Sequence, residues 1–184
     1  MKLRHVILDR DGVLNQEAEG GGYIERPEDF AWVPGALEGL RLLREAGLYL
    51  SVATNQSGVG RGIMTLAQLE AVHARMRAEA AGQGAPLDAI FFCPHGPQDG
   101  CDCRKPAPGL ILRAMAGSGH AAAETILVGD ADRDLEAAAR AGIPAVLVRT
   151  GKGRKTEAGL QGLRVPVYDD LPAFARALLD RAQD

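Results

Sequence analysis

Long runs of any one kind are what this sequence of 184 residues lacks. There is no basic tract, and the formal net charge is -3. Nucleic acid is therefore not an expected partner, because phosphate backbones are held by clustered lysine and arginine. No apolar stretch approaches the roughly 20 residues that span a bilayer, so no membrane partner is expected. The opening Met1-Lys2-Leu3-Arg4-His5 carries no apolar segment of the signal-peptide kind, which makes the cytoplasm the expected location. No repeat, linker or low-complexity segment is visible, and no heptad asks for a second copy. A single domain over residues 1–184, working as a monomer, is the expectation. Disulfides are not expected either. The three cysteines are an odd number and all fall between positions 93 and 103, a cluster that suggests metal in a reducing compartment. What is present is 46% hydrophobic residues, enough for a globular core.

Those hydrophobic residues alternate between strand and helix patterns. Strands are predicted at Val6–Asp9, Tyr49–Ala53, Ala89–Phe92, Thr125–Gly129 and Ala145–Val148. Between them, Leu37, Leu40, Leu43 and Ala46 recur at helical spacing after Pro34-Gly35, and Leu66, Leu69, Val72 and Met76 do so after Thr65. Further helices are predicted at Gly109–Met115, at Leu135–Ala141 and from Pro172. Gly20–Trp32 reads as a loop or short hairpin flap, Thr150–Gly159 as a loop, and Val165–Tyr168 as a short edge segment. The rhythm predicts an α/β fold, a single-domain, doubly wound parallel sheet of Rossmann-like design. The gaps Asn15–Tyr49 and Gln56–Phe92 leave no room for a separate cap domain, so the site is expected to be open. Parallel strands joined by right-handed crossovers share one carboxyl edge, and ligands bind there. Asp9, Thr54 and Asp130 each fall just after a strand and are expected to converge on it.

Asp9 and Asp11 stand one residue apart where the first apolar run ends, and Gly12 turns the chain away. An EF-hand does not fit, because a strand precedes the aspartates and Gly20 stands where loop position twelve needs glutamate. Singly, such a carboxylate is an ordinary turn or cap residue. Together, the converging groups suggest phosphoryl transfer. Asp9 is the expected nucleophile, forming an aspartyl-phosphate. Asp11 is the expected acid/base, protonating the leaving oxygen and later deprotonating water. Asp9, Asp11 (through its backbone carbonyl) and Asp130 form an oxygen-rich set suited to Mg²⁺. Thr54 offers a hydroxyl and an N–H to a phosphoryl oxygen, and Lys105 a positive charge. Asp134, about one helical turn beyond Asp130, is expected to steady the groups around the metal.

Cys93, His95, Cys101 and Cys103 lie within eleven residues and suit a closed tetrahedral Zn²⁺ site. Arg104-Lys105-Pro106 follows directly, so zinc would aim Lys105 at phosphate and Arg104 at substrate. His5, His73 and His120 have no metal spacing and are read as surface or capping residues.

Four segments carry a resemblance: Asp9–Asn15, Thr54–Gly58 with Arg61-Gly62, Cys93–Pro106, and Val128-Gly129-Asp130 with Asp134. On these the chain resembles the haloacid dehalogenase superfamily and, within it, the heptose bisphosphate 7-phosphatase family. The resemblance implies Mg²⁺-dependent removal of the 7-phosphate of a heptose 1,7-bisphosphate, in nucleotide-activated heptose biosynthesis. It implies that Asn55, Gln56 and Ser57 line the substrate pocket and that Arg104 contacts substrate. Some members carry lysine directly after the fourth-motif aspartate; here that residue is Ala131, with Arg133 two positions on. An open site lined by Arg61 and Arg104 also suits a small phosphorylated sugar with a second anionic end. The competing readings are a histidinol-phosphate phosphatase, which has a similar zinc loop, and a non-enzymatic zinc-stabilised binding module.

Overall fold

The computed structural model describes residues 2–160 and 165–181. Its first strand, β1 (His5–Leu8), is buried at every residue, as a strand covered on both faces must be. Side chains alternate along it. Val6 and Leu8 enter one core with Leu50, Val52, Val128, Val146 and Val148, while Ile7 enters a second core with Ala53 and Leu127.

Six strands form one parallel sheet in the order β3-β2-β1-β4-β5-β6. The others are β2 (Tyr49–Asn55), β3 (Ala89–Cys93), β4 (Thr125–Gly129), β5 (Ala145–Val148) and β6 (Val167–Tyr168). The order reverses between β1 and β4, the crevice where doubly wound sheets bind ligands. Leu40 and Leu43 of α1 (Ala36–Glu45), Val72 and Met76 of α2 (Leu66–Gly82), and Phe174 of α6 (Leu171–Arg181) fill the first core. Leu110, Ile111 and Ala114 of α3 (Gly109–Ser118), with Ala137 and Ala138 of α4 (Asp132–Ala141), fill the second. Thr65 starts α2 as expected, by a capping box in which its hydroxyl accepts from the Gln68 N–H at 3.2 Å.

Three elements differ from expectation. The stretch from Thr150 to Gly159 is not all loop, for it contains the short helix α5 (Gly153–Gly159). Gly153 permits this turn, since a Cβ there would lie 1.7 Å from the Val148 carbonyl oxygen. The flap forms no hairpin but two 3₁₀ turns, Glu19–Gly21 and Pro27–Asp29, anchored by buried Ile24 and Phe30. Helix α4 starts at Asp132 instead of Leu135, because Asp134 Oδ2 accepts the Ala131 N–H at 3.1 Å and caps the first turn.

Candidate active site

Asp9 continues the line of β1, its N–H donating to the Val128 carbonyl at 3.0 Å, so it stands beside Asp130 at the end of β4. The approach between the two strand ends is close. A Cβ on Gly12 (φ +88°) would lie 2.1 Å from Asp130 Oδ2, and one on Gly151 would lie 2.2 Å from it. The Lys152 N–H donates to that same oxygen at 2.7 Å, and the Thr156 hydroxyl donates to the Asp130 carbonyl at 2.8 Å. Helix α5 thus helps to hold Asp130. One Asp9 oxygen accepts the Arg10 N–H at 2.7 Å. Asp9 Oδ2 and Asp130 Oδ1 are both buried with no hydrogen-bond partner.

Lys105 is 1% exposed. Its ammonium lies 2.9 Å from Asp9 and 2.6 Å from Asp134, as charge contacts off the usual hydrogen-bond directions. Burial works against its charge, but Asp134 and Asp9 outweigh this and keep it protonated, above the ordinary lysine range. Its backbone is held from β2: Asn55 Nδ2 donates to the Lys105 carbonyl at 2.9 Å, and Asn55 Oδ1 accepts the Lys105 N–H at 3.0 Å.

Asp9, Asp130 and Asp134 form one buried group with a mutual approach inside 4.8 Å. Burial and then the Asp134 charge push Asp9 up to about 6, against the pull of Lys105 and Arg133. Burial and then the Asp9 charge push Asp130 up to about 7. Both Asp134 oxygens are engaged, by Lys105 and by Ala131. Two partnerless buried carboxylate oxygens in this excess of negative charge fit a hard divalent cation such as Mg²⁺.

The Asp11 carboxylate lies outside that group. It accepts from Arg10 NH2 at 2.9 Å, Asn15 Nδ2 at 2.9 Å and Gln56 Nε2 at 2.7 Å. Burial acts to raise its pKa, but Arg10, Asn15 and Gln56 prevail and hold it below the usual range. Gln56 also donates to the buried Thr54 hydroxyl at 2.9 Å. Ser57 Oγ lies 2.9 Å from the Tyr23 hydroxyl of the flap.

Two histidines depart from the surface or capping reading. His5 is buried between Ser51 (2.7 Å) and Ser118 (3.1 Å), and His73 is buried on α2 with Nε2 3.1 Å from Arg10 NH1. A lone histidine gives no spacing signal, whereas its place in an apolar helical stripe does.

A cleft of about 320 Å³ opens above these groups. Asp11, Asn55, Gln56, Ser57, Arg61 and Arg104 border it. So do Arg133, which stands two positions after Ala131, and also Arg10 and Lys152, neither of which sequence patterns assigned to it; Lys152 pairs across its rim with Glu17, just before the flap. The cleft is therefore cationic and suited to an anionic ligand.

Cys93, His95, Cys101 and Cys103 come together beside it. Cys93 Sγ lies 3.7 Å from Cys101 Sγ and 3.2 Å from Cys103 Sγ, and His95 Nδ1 lies 3.3 Å from Cys103 Sγ. Tetrahedral Zn–S bonds of about 2.3 Å place donors at nearly this separation, so the set fits zinc. Arg104 donates to the His95 carbonyl at 3.2 Å and is tied to that loop.

The HAD-hydrolase-like family matches residues 102–173. The D-glycero-beta-D-manno-heptose-1,7-bisphosphate 7-phosphatase of Pseudomonas putida is 48% identical over 97% of this chain and all of its own. The Bordetella bronchiseptica enzyme of the same name is 45% identical over 99% of this chain and all of its own. The crystal structure of the D,D-heptose 1,7-bisphosphate phosphatase from B. bronchiseptica, complexed with magnesium and phosphate, superposes with a TM-score of 0.91 at 43% identity. It covers 97% of this chain and 99% of that one.

Proposed function

Since this chain belongs to the heptose-1,7-bisphosphate 7-phosphatase family of HAD-like hydrolases, we propose that it removes the 7-phosphate of D-glycero-D-manno-heptose 1,7-bisphosphate through an aspartyl-phosphate on Asp9. One observation carries the reading. Asp9 and Asp130, each with a buried, partnerless oxygen, have carboxylates within 4.8 Å of one another, and the chain neighbours of Asp9, Arg10 and Asp11, line a cleft that Arg61, Arg104, Arg133 and Lys152 also border.

In this mechanism the cleft cations receive the dianionic ends of the substrate, with Arg61 and Arg104 suited to the end that does not react. One oxygen of Asp9 attacks phosphorus, and Lys105, 2.9 Å from Oδ1, orients the carboxylate. Lys105 and the Thr54 hydroxyl stabilise the charge that develops on the phosphoryl oxygens. The dianionic phosphate brought beside Asp11 opposes the groups that hold it ionised and favours its protonated form; Asp11 then gives that proton to the departing C7 oxygen and takes one from the water that cleaves the acyl phosphate. Asp9 and Asp130, with the Asp11 backbone carbonyl, would hold Mg²⁺, which neutralises phosphate charge and lets a carboxylate approach it. Cys93, His95, Cys101 and Cys103 would hold Zn²⁺ as a structural brace. The product keeps its anomeric phosphate, which is the group needed for nucleotide activation. The relatives are named for the beta anomer, and that anomer is proposed here. The reading takes the chain as a cytoplasmic monomer of one catalytic domain, and no helix among the described residues is long and apolar enough to cross a membrane.

The test is phosphate release from heptose 1,7-bisphosphate and from histidinol phosphate, with and without Mg²⁺. Mg²⁺-dependent turnover favouring the bisphosphate, abolished by Asp9→Asn, is expected. Turnover unaffected by Asp9→Asn excludes the nucleophile. A preference for histidinol phosphate assigns the rival activity. No release from any phosphomonoester leaves the binding module.

A further inference from the structure

Arg10 is the largest fully buried side chain among the described residues, and it stands between the two carboxylates of the reaction. Each of its guanidinium nitrogens has a partner. Nε and NH2 reach Asp11 Oδ1 at 3.3 and 2.9 Å, NH2 also reaches Asp11 Oδ2 at 3.3 Å, and NH1 reaches His73 Nε2 at 3.1 Å. Asn15 and Gln56 each touch one Asp11 oxygen, whereas Arg10 spans both. Arg10 thus shares with Asn15 and Gln56 the fixing of that carboxylate, and is the one of the three that touches both oxygens. Arginine has no lone pair to offer, so His73 must accept at Nε2 and carry its own proton on Nδ1.

His73 is 7% exposed and lies on α2, away from the cleft lining. Its ring sits 5.9 Å from that of Phe92, centroid to centroid. Burial, and then the Arg10 charge, hold it neutral, with its titration pushed down to about 3. An acceptor is thus always available to the far side of Arg10.

We infer that His73 is a positioning residue for the reaction: its Nε2 anchors the guanidinium of Arg10, and Arg10 fixes the carboxylate plane of Asp11 for proton transfer to the departing sugar oxygen. The inference rests on the reading of Asp11 as the acid/base. Without the acceptor, a buried N–H loses its partner, and the nearest remedy is for Arg10 to turn and carry Asp11 with it.

The test compares kcat/KM for the heptose bisphosphate, whose alkoxide leaving group needs a proton, with kcat/KM for p-nitrophenyl phosphate, whose phenolate does not. His73→Phe keeps the ring and removes the acceptor, His73→Asn withdraws it by shortening the side chain, and His73→Gln keeps it in reach. About a tenfold loss is expected on the sugar phosphate for the Phe and Asn variants. Activity on the aryl phosphate is expected within about twofold of wild type, and His73→Gln is expected to restore the sugar-phosphate rate. If His73→Phe does not fold, His73→Asn carries the comparison. Equal losses on both substrates, no loss on the sugar phosphate, or no rescue by Gln overturns the inference, provided Asp11→Asn is itself selectively slow on the sugar phosphate. An Asp11→Asn variant equally impaired on both substrates takes down the acid/base reading, and the inference with it.

Discussion

Asn55 borders the cleft, yet both ends of its amide are engaged with the backbone of Lys105. Its contribution is expected to be the placement of the Lys105 ammonium between Asp9 and Asp134. Asn55→Ala should lower kcat by about 10- to 100-fold, the usual cost of losing a supporting contact. KM for the heptose bisphosphate should change by less than about threefold; a large KM rise with kcat kept would make Asn55 a direct substrate contact. Gly12 has a similarly local part. Gly12→Ala puts a methyl into the Asp130 carboxylate and strains a backbone at φ +88°, so Mg²⁺ affinity measured by titration calorimetry should fall. At this scale, legibility follows the chain. Asp9, Thr54 and Asp130 are readable because each ends an apolar run, and Lys105 because it trails the cysteines. The amide of Asn55 and the ring of His73 are not, because their partners, Lys105 and Arg10, come from distant segments and leave no local pattern.

Among elements, the Cys/His loop from Cys93 to Cys103 bears most on the site. It leaves β3 at Cys93 and returns at Cys103, two residues before Lys105, and Arg104 is tied to it through the His95 carbonyl, so its closure is expected to help place both side chains. Metal analysis should find about one zinc per chain in the purified protein. Cys101→Ser, or removal of zinc by a chelator followed by re-addition of Mg²⁺, should lower both kcat and Tm. Full activity in a zinc-free protein would mean that Asn55 and the rest of the fold place Lys105 unaided. The cysteine spacing made this element legible before any coordinates. Helix α5 was not, because it is short, has glycine at both ends and lacks an apolar stripe, and only its contact with Asp130 shows why it forms.

For the whole molecule, the alternation of buried strands and amphipathic helices made the parallel sheet readable, while the flap's path was fixed by Ile24 and Phe30 reaching a core assembled elsewhere. His5 offers a test of global stability. Burial, and then the nearby His120 charge, lower its pKa from 6.5 to about 4. The unfolded chain therefore binds the extra proton first as pH falls. The stability this neutral histidine contributes is complete above about pH 6.5 and drains away between 6.5 and 4, at up to about 1.4 kcal/mol per pH unit. Asp9 and Asp130, with raised pKa values, act in the opposite direction, so the comparison must be between variants. On going from pH 7 to pH 5 the urea midpoint should fall further, or rise less, for wild type than for His5→Gln, which loses the titrating group. Equal shifts in both proteins would place the acid sensitivity elsewhere.

The central position of β1 has a consequence in time. Its flanks are β2, made soon after it, and β4, made much later. During synthesis Asp9 emerges long before Asp130 and Lys152. It meets Asp130 only when β4 adds to the open edge, and Asp130 gains its backbone donor only once Lys152 has also emerged. A nascent or truncated chain that ends before α5 therefore carries Asp9 without the Lys152 and Thr156 contacts that hold Asp130 beside it.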